Sequence, residues 1–218
     1  MKRALVFGST GFVGSRLLRE LLDRPEYQSV AAVARRDPGL RHPKLETLLG
    51  GLDTLPDLCP RLDCDEVFIA LGTTRKHTPD RAAYYRIDHD YPVAAARMAL
   101  ERGARSVFLV SAVGADPGSR TFYLRTKGEM ERDIRALGFD RTHIFRPSMI
   151  LGDRPERRPL ERILGRLWAG LDPLLRGALD RYRGTSGPDI ARAMAAAAGL
   201  PGERVAVYHW REMQALLA

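Results

Sequence analysis

Two residues with acid–base chemistry, Tyr123 and Lys127, stand four positions apart in the segment FYLRTKGEMER, residues 122–132. Residues four apart share one face of a helix, so the Lys127 ammonium can approach the Tyr123 phenol. A nearby positive charge favours the phenolate and lowers the pKa of a tyrosine, which is about 10 without such a neighbour. The spacing fits a proton-exchanging pair, but solvated helix faces produce the same spacing by chance, so the surrounding elements must decide.

A glycine-rich turn follows the first apolar run of the chain, Ala4–Phe7, and leads into the leucine-rich helical segment SRLLRELL, residues 15–22. Glycines let bare backbone approach a pyrophosphate closely, and the N–H groups at the start of the helix face the anion. One glycine would serve a simple turn, but three at a spacing of three predict a dinucleotide site. The predicted cofactor-binding residues of this turn are Gly8, Ser9, Thr10, Gly11, Phe12, Val13 and Gly14.

The segment VAAVARRDP, residues 30–38, ends the second predicted strand. NAD-binding proteins place an acidic residue there, which binds the 2′-hydroxyl of the adenosine ribose. Here Arg35 and Arg36 stand at that place, and Asp37 comes one step later. Guanidinium groups suit a phosphate dianion better than a hydroxyl, so the segment predicts NADP(H) in preference to NAD(H). The alternative interpretation is that both arginines are simply exposed to solvent.

Short apolar runs alternate with longer segments of helical period, as in proteins with a parallel sheet. Strands are predicted at 4–7, 30–34, 45–49, 66–71, 107–110, 142–145 and 205–208. Helices are predicted at 15–22, at 81–102 with a kink or break at Pro92, at 123–137 and at 188–198. The pattern predicts an α/β, Rossmann-type, doubly wound parallel sheet with helices on both faces, which binds ligands beyond the carboxyl ends of its strands.

The chain has 218 residues, of which 44% are hydrophobic, so it can bury one sizeable core. A single domain over residues 1–218 is therefore predicted. The stretch 152–185 is irregular and rich in arginine, and we interpret it as a substrate-side insertion. Arg154, Arg157 and Arg158 could bind an anionic group there, although exposed arginines would give the same pattern.

The formal net charge of +8 raises the question of nucleic acid binding. Lysine supplies only four of the 35 basic residues, and the arginines are scattered, which favours a solvated surface over a nucleic-acid patch. No apolar run approaches the roughly 18–20 residues that cross a membrane, and no secretory core is present, so a cytoplasmic location is predicted. Cys59 and Cys64 are expected to be free thiols without a metal.

These motifs resemble those of the short-chain dehydrogenase/reductases, and within them the atypical members similar to the Tat-interacting protein group of NAD(P)-binding oxidoreductase-like proteins. The resemblance covers about residues 1–165 and rests on GSTGFVG, on ALGTT at 70–74, on FYLRTKGEMER, and on FDRTHIFRPSMILGDR at 139–154. In that family the Tyr-x-x-x-Lys helix follows the fifth strand and an Arg-Pro pair follows the sixth. Both orderings hold here.

The resemblance implies hydride transfer between nicotinamide C4 and a small carbonyl or alcohol substrate. Tyr123 would exchange the proton of the substrate oxygen, Lys127 would hold the nicotinamide ribose, and Ser111 would bind the substrate oxygen. Asp88 stands where the family often has a residue that supports the site, and Ala112 stands where it often has a second hydroxyl residue. The further cofactor contacts implied are Leu52 through its backbone, Leu71, Gly72, Thr73, Thr74, Arg146, Pro147 and Ser148.

Two functions stay open on this basis. One is an NADP(H)-dependent oxidoreductase that uses the Tyr123 and Lys127 pair as its proton donor. The other is a non-catalytic regulatory or scaffold protein that binds NADP(H), which the alanine at position 112 favours. No motif indicates the substrate or the oligomeric state, although helices that flank such sheets often pair in symmetric homodimers.

Overall fold

The computed structural model describes residues 1–58, 62–152, 175–201 and 203–218. Its main sheet contains the strands β1 (Lys2–Phe7), β2 (Tyr27–Ala34), β3 (Leu45–Leu49), β4 (Glu66–Ile69), β5 (Ser106–Val110), β6 (Arg141–Phe145) and β9 (Val205–Tyr208). These seven strands are parallel and lie in the order β3-β2-β1-β4-β5-β6-β9. Two short strands, β7 (Ile150–Leu151) and β8 (Thr185–Ser186), pair separately in parallel. The predicted doubly wound parallel sheet is confirmed.

The helices of the described residues are α1 (Gly14–Asp23), α2 (Leu55–Leu58), α3 (Arg81–Tyr85), α4 (Tyr91–Glu101), α5 (Phe122–Ala136), α6 (Gly187–Gly199) and α7 (Trp210–Ala215). Short 3₁₀ helices occur at Leu52–Thr54 and Gly177–Tyr182. The four predicted helices agree with this list to within a few residues, whereas α2 and α7 were not predicted. α7 is the longer of these two. Its six residues are too few to show helical periodicity, and the signal for it is the capping box that His209 forms with Glu212.

Both faces of the sheet are covered by helices, as the unalternating apolar strands require. Along β1, Ala4 and Val6 join the core under α1 and α6, whereas Leu5 and Phe7 join the core under α4 and α5. A strand places successive side chains on opposite faces, so a strand that is buried on both sides must be apolar at consecutive positions. Burial on both faces holds the strands in place. It therefore also sets the positions of the residues that follow the carboxyl end of each strand.

The helical segment around Pro92 is divided as the sequence predicted. A turn of wider π-type helix, Arg86–Asp90, separates α3 from α4. Pro92 has no N–H group to donate to the carbonyl of Asp88, and the Tyr91 N–H reaches back five residues to the Arg86 carbonyl. The wider turn changes the direction of the following side chains, and such turns often occur at functional sites.

Residues 153–174, most of the stretch interpreted as a substrate-side insertion, lie outside the described residues. Arg154, Arg157 and Arg158, which we predicted to bind an anionic group, lie there too, so this role stays a prediction. The extent of the single domain also stays a prediction. Within the residues that the structure describes, no helix is both long enough and apolar enough to cross a membrane.

Candidate active site

The turn after β1 and the loop after β4 meet at the carboxyl end of the sheet, where the strand order reverses. Gly8 has a φ of +85°, a conformation that residues with a Cβ rarely adopt. A Cβ on Gly8 would lie 2.5 Å from the Ala70 carbonyl oxygen, and one on Gly14 would lie 2.1 Å from the Gly8 carbonyl oxygen. Both positions therefore need glycine. The first lets two strand ends approach each other, and the second lets α1 begin against the turn.

The other residues of this turn leave polar groups available at the start of α1. The Gly11 N–H donates to the Gly8 carbonyl over 2.9 Å and closes the turn, while Val13 is buried and Thr10 is half-buried. Ser9 is fully buried, and its hydroxyl has no hydrogen-bond partner among the described residues. A surface that Cβ atoms would block, together with an unpaired buried hydroxyl, fits the pyrophosphate end of a dinucleotide.

Phe12 packs in a way that the sequence did not predict. Cβ atoms added to Gly152 or Gly187 would each come within 2.4 Å of its ring. The Arg16 guanidinium lies 4.2 Å from the ring centroid and donates to the Phe12 carbonyl over 2.7 Å. Phe12 thus joins the glycine turn to the end of β7 and the start of α6. These glycines are distant in sequence, so no local pattern indicated the contact.

Arg35 and Arg36 follow the last residue of β2 and are exposed. Within the described part of the chain neither has an ion-pair partner. Asp37, the carboxylate nearest to them in sequence, accepts hydrogen bonds from Arg41 and from the Gly39 N–H over 2.8 Å each. The hydrogen bond from Arg41, followed by that from Gly39, lowers the pKa of Asp37. The carboxylate of this segment is therefore already engaged, whereas the two guanidinium groups before it are available.

The backbone of Leu52 lies in the short helix that follows β3. The Gly50 N–H donates to the Ala34 carbonyl over 2.9 Å and joins the ends of β3 and β2. Because Ala34 directly precedes Arg35, this hydrogen bond brings the turn after β3 close to the arginine pair. The predicted adenine-side contacts of the cofactor therefore come from adjacent strand ends.

Lys127 and Asp88 form an ion pair in the interior of the protein. The Lys127 Nζ lies 2.9 Å from the Asp88 Oδ1, and the two side chains are only 5% and 1% exposed. The Thr73 N–H donates to the other oxygen, Oδ2, over 2.8 Å. A Cβ on Gly72 would lie 3.4 Å from the Asp88 Oδ1 and 3.7 Å from the Lys127 Nζ. The loop after β4, the π-type turn and α5 therefore converge on one buried lysine.

The loop after β4 is held in place by its own contacts. Leu71 packs against the core beneath α4 and α5. The hydroxyls of Thr73 and Thr78 share a hydrogen bond of 2.9 Å, and the Thr74 carbonyl accepts the Thr78 N–H over the same distance. The buried Tyr84 hydroxyl donates to the Thr73 carbonyl over 3.4 Å. The predicted contact residues Leu71 to Thr74 thus lie in an ordered loop beside the Lys127 ammonium.

Tyr123 lies in the first turn of α5, one turn before Lys127, and 38% of it is exposed. The sequence led us to expect a lowered pKa for its phenol, and this expectation is wrong. Burial raises the pKa of Tyr123, and the Asp88 carboxylate raises it further, while Lys127 lowers it. The sequence spacing indicates the nearby lysine, but it does not show the burial of the phenol, which affects the pKa of Tyr123 more than either charge does.

Ser111 follows the last residue of β5 and is buried, and its backbone N–H donates to the Phe145 carbonyl over 2.7 Å. Its hydroxyl has no hydrogen-bond partner within the described residues, and the same holds for Thr126 of α5. Ala112 is also buried. An unpaired hydroxyl is thus present in this part of the chain even though position 112 lacks one.

Arg146 has a different partner from the one expected. Its guanidinium binds both carboxylate oxygens of Glu131 on α5, with the Nε to Oε1 distance at 2.9 Å. The Pro147 carbonyl accepts the Val113 N–H over 3.0 Å, and Ser148 is half-buried. The side chain of Arg146 therefore joins β6 to α5 and is not available for the predicted carboxamide contact.

Gly128 positions α5 against the loop before it, and the sequence analysis did not single it out. A Cβ there would lie 2.2 Å from the Asp116 carbonyl carbon, so the loop between β5 and α5 rests directly on the helix. Glycine inside a helix costs about 1 kcal/mol relative to alanine. Its presence one residue after Lys127 was the available signal for such a close approach.

Outside this region the described residues show little that suggests other chemistry. They contain no group of three or more acidic, histidine or cysteine side chains that could hold a metal. Burial raises the pKa of the Cys64 thiol to about 12, and Cys59 lies outside the described residues. A surface cavity of about 330 Å³ lies between β3 and the loop 37–42, and it shares no residue with the region around Lys127.

Comparison with known proteins gives a consistent result. A family model described as "NAD dependent epimerase/dehydratase family" matches residues 4–198. "Protein FMP52, mitochondrial" of Eremothecium gossypii is 38% identical over 152 residues, which cover 69% of this chain and 67% of that protein. The protein of nearly the same name from Aspergillus fumigatus is 37% identical over 204 residues, covering 88% and 85%. The solved structure "MoeE5 in complex with UDP-glucuronic acid and NAD" has a TM-score of 0.70 and 21% identity over 94% of this chain and 75% of that chain, which is evidence for the fold alone.

The relatives contradict the predicted cytoplasmic location, because those of both fungi carry mitochondrial names. The prediction rested on the lack of a secretory core and of an apolar membrane span. These two observations distinguish secreted and membrane-spanning proteins from the rest, but they do not separate the cytoplasm from an organelle.

Proposed function

Because the chain belongs to the NAD dependent epimerase/dehydratase family, we propose that it is an NADP(H)-dependent oxidoreductase acting on a small carbonyl or alcohol substrate. The observation that carries the proposal is the buried Lys127, one helical turn from the partly exposed Tyr123, at the end of the sheet where the glycine turn lies. A charged lysine is expensive to bury, so its position calls for a functional explanation.

The residues of the glycine turn would bind the pyrophosphate. Gly8 and Gly14 keep the backbone open, and the N–H groups at the start of α1 supply the positive end of a helix dipole. The buried Ser9 hydroxyl, which lacks a partner among the described residues, would gain one. When bound, the dinucleotide supplies or accepts the hydride at nicotinamide C4.

The preference for NADP(H) is supported by the charges after β2. Arg35 and Arg36 are exposed without ion-pair partners in the described part of the chain, so they can bind a 2′-phosphate. The Asp37 carboxylate, the other candidate partner for the adenosine ribose, is already paired with Arg41. Both features favour the phosphorylated cofactor.

The chemical roles follow from exposure and burial. Tyr123 is accessible and can give a proton to the substrate oxygen, or take one from it, at its phenolic oxygen. Lys127 stays fixed by Asp88 and would hold the ribose hydroxyls of the cofactor. The Ser111 hydroxyl, which has no hydrogen-bond partner in the described part of the chain, can bind the substrate oxygen and orient it.

The experiment is Tyr123→Phe, tested in a screen of small carbonyl compounds with NADPH as reductant. Phenylalanine cannot exchange a proton, so we expect turnover to fall by about 10²-fold or more while NADPH still binds. Tyr91→Phe is the matched control, because Tyr91 is half-buried at the start of α4 and, among the residues that the structure describes, its hydroxyl accepts a hydrogen bond only from Arg86, over 3.5 Å. Unchanged turnover in Tyr123→Phe would remove the proposal.

The second candidate is a non-catalytic NADP(H)-binding regulatory or scaffold protein, which Ala112 favours. It would be supported if the wild-type protein bound NADPH firmly but reduced no compound in the screen above background. Assembly as a homodimer stays a prediction under either function.

A further inference from the structure

Phe122, the first residue of α5, has two guanidinium groups beside its ring. The guanidinium carbon of Arg81 lies 5.5 Å from the ring centroid, and that of Arg125 lies 5.8 Å from it. Arg81 belongs to the start of α3 and Arg125 to α5, so two different elements bring like charges to one side chain. The ring attracts each cation, but the two cations repel each other unless an anion lies near them.

Neither guanidinium group is paired with a carboxylate in the described part of the chain. Arg125 donates to the Ser119 carbonyl over 3.1 Å, and this acceptor carries no charge. Asp80 directly precedes Arg81, but its carboxylate caps α3 by accepting the Ala83 N–H over 2.7 Å. The first turn of α5 contains no acidic side chain. The positive charge beside the Phe122 ring is therefore not neutralised by these elements.

The segments around the ring carry an excess of positive charge. Residues 71–81 and 111–125 contain five lysine and arginine residues but two acidic ones: Arg75, Lys76, Arg81, Arg120 and Arg125 against Asp80 and Asp116. The Asp116 carboxylate accepts the Gly118 N–H over 2.9 Å within its own turn. Both acidic side chains of these segments are thus engaged in local backbone hydrogen bonds, whereas the cations face solvent or neutral groups.

Arginines farther along the same part of the chain have carboxylate partners. Arg86, which directly follows α3, lies 3.4 Å from Asp53, and Arg132 of α5 lies 2.7 Å from Asp133. The protein therefore pairs arginines with acidic residues where it has no other use for them. The contrast indicates that the two guanidinium groups beside Phe122 are kept for a ligand.

The Phe122 ring is also joined to the candidate active site. Tyr123 directly follows it in the chain, and the ring of Tyr84 packs edge-on against it with the centroids 5.8 Å apart. The Tyr84 hydroxyl donates to the Thr73 carbonyl over 3.4 Å. Thr73 belongs to the loop that contacts the ion pair of Lys127. A molecule held by the two guanidinium groups would therefore lie beside the residues proposed to act on the carbonyl.

We propose that Arg81 and Arg125 bind an anionic group of the substrate, a carboxylate or a phosphate, while its carbonyl group reaches Tyr123. This inference rests on the proposed function and narrows the substrate to carbonyl or alcohol compounds that carry negative charge. Guanidinium groups bind either anion through paired N–H donors. Because the fold already holds both cations at one ring, binding the anion requires little further ordering of the protein.

The first test measures binding without turnover. Benzoate, phenyl phosphate and benzyl alcohol, which share one ring, are titrated calorimetrically into the protein with NADP⁺ present to fill the predicted 2′-phosphate site. The wild type should bind at least one of the two anions about tenfold or more tightly than the neutral alcohol, and Arg81→Gln/Arg125→Gln should lose this difference. Tighter binding of phenyl phosphate than of benzoate would assign the group as a phosphate, and the reverse as a carboxylate.

Arg97→Gln/Arg135→Gln is the matched control, because it removes the same charge from the exposed surfaces of α4 and α5. This variant should keep the preference for the anions. An equal loss in both double variants would show a general effect of net charge and would overturn the proposal. Equal affinity of the wild type for the anions and the alcohol would overturn it too.

A single substitution covers the case in which the double variant does not fold. Arg81 is exposed and makes no hydrogen bond within the described residues, so Arg81→Gln should leave the fold intact. Loss of one of the two cations should weaken anion binding about threefold or more and leave the binding of benzyl alcohol unchanged. An unchanged affinity for the anions in this variant would contradict the role of Arg81.

The specificity of carbonyl reduction gives an independent measurement. In Arg81→Gln/Arg125→Gln, the KM for 4-carboxybenzaldehyde should rise about tenfold or more, while its kcat and the reduction of benzaldehyde stay unchanged. A fall in kcat for both aldehydes would show a structural role of the arginines and would contradict the proposal. If the wild-type chain reduces no carbonyl compound, the proposed function fails, and the calorimetric titration still decides whether the two arginines bind an anion.

Discussion

The two ends of the main sheet treat their buried polar groups differently. At the amino end, the Glu66 carboxylate accepts hydrogen bonds from Lys2 over 2.8 Å, from Tyr27 over 2.5 Å and from Arg141 over 3.2 Å. Each of these four residues is the first residue of its strand. At the carboxyl end, the hydroxyls of Ser9 and Ser111 are buried without partners among the described residues.

This difference indicates that the polar groups at the amino end of the sheet stabilise the fold, whereas those at the carboxyl end serve ligand binding. A buried polar group without a partner costs free energy, so such groups are rare unless they serve another purpose. The amino end joins four strands through a satisfied charge cluster, whereas the carboxyl end keeps hydroxyls that a ligand can bind. The glycine turn, which leaves backbone uncovered, lies at that second end.

The largest expected effect on stability comes from Glu66→Ala at the amino end. Removing the carboxylate leaves Tyr27, Lys2 and Arg141 without their shared acceptor, and we expect the free energy of unfolding to fall by about 3 kcal/mol. Urea unfolding measures this change, and Glu101→Ala, an exposed carboxylate on α4, should change stability by less than about 0.5 kcal/mol. NADPH affinity of the folded variant should not change. If Glu66→Ala kept its stability but lost NADPH binding, the claim that the amino end contributes to stability and not to cofactor binding would be contradicted.

An effect of similar size is expected from pH in the middle of the sheet. His143 is stacked on Phe108 at 4.5 Å, and burial, followed by the Arg141 charge, lowers its pKa to about 4. Histidine in an unfolded chain has a pKa of about 6.5, so between these values the unfolded state binds a proton that the folded state does not. The free energy of unfolding should therefore fall as the pH drops from about 6.5 to about 4, by about 3 kcal/mol in total.

The variant His143→Phe isolates this contribution. Phenylalanine keeps the stack on Phe108 but binds no proton, so stability measured by urea unfolding should depend less on pH in this range. His209 also has a pKa lowered by burial and contributes to both proteins. If the free energy of unfolding depended on pH equally in the wild type and in the variant, His143 would not be the group responsible for the loss of stability at low pH.

The smallest expected changes in stability come from two serines at opposite ends of β5. Ser106, the first residue of β5, accepts a hydrogen bond from the Arg141 Nε over 3.0 Å, whereas Ser111 follows the last residue of β5. Ser106→Ala should cost about 1 kcal/mol and leave turnover unchanged. Ser111→Ala should leave stability within about 0.5 kcal/mol but lower the rate of carbonyl reduction about tenfold or more. If Ser106→Ala and Ser111→Ala changed stability equally and changed the rate of carbonyl reduction equally, the proposed difference between the two ends of the sheet would be contradicted.

Local sequence patterns were sufficient to predict the buried strands and the glycine turn, because each of these features depends on the types and spacing of neighbouring residues. Apolar runs such as Val67–Ile69 in β4 indicate strands because both of their faces are buried, and the spacing of the glycines from Gly8 to Gly14 indicates the turn. These patterns, with the Tyr123 and Lys127 spacing, resembled the short-chain dehydrogenase/reductases, and the family match confirms that resemblance.

The ion pairs around Lys127 and Arg146 could not be predicted from local sequence patterns. Asp88 is 39 residues before Lys127 in the chain, and only the packing of the π-type turn on α5 brings the two together. For the same reason the expected lowering of the Tyr123 pKa was wrong, and the ion pair between Arg146 and Glu131 was not foreseen. A pKa depends on burial and on every nearby charge, and neither is visible in local spacing.

The most direct measurement is a titration of the purified protein with NADPH and with NADH, followed by nucleotide fluorescence, on the wild type and on Arg35→Ala/Arg36→Ala. Arg97→Ala/Arg135→Ala removes the same charge from the exposed surfaces of α4 and α5 and is the control. We expect the wild type and the control to bind NADPH about tenfold or more tightly than NADH, and the double variant to lose this preference. Failure to bind either nucleotide, or equal affinity for both in the wild type, would contradict the assignment of the carboxyl end as an NADP(H) site.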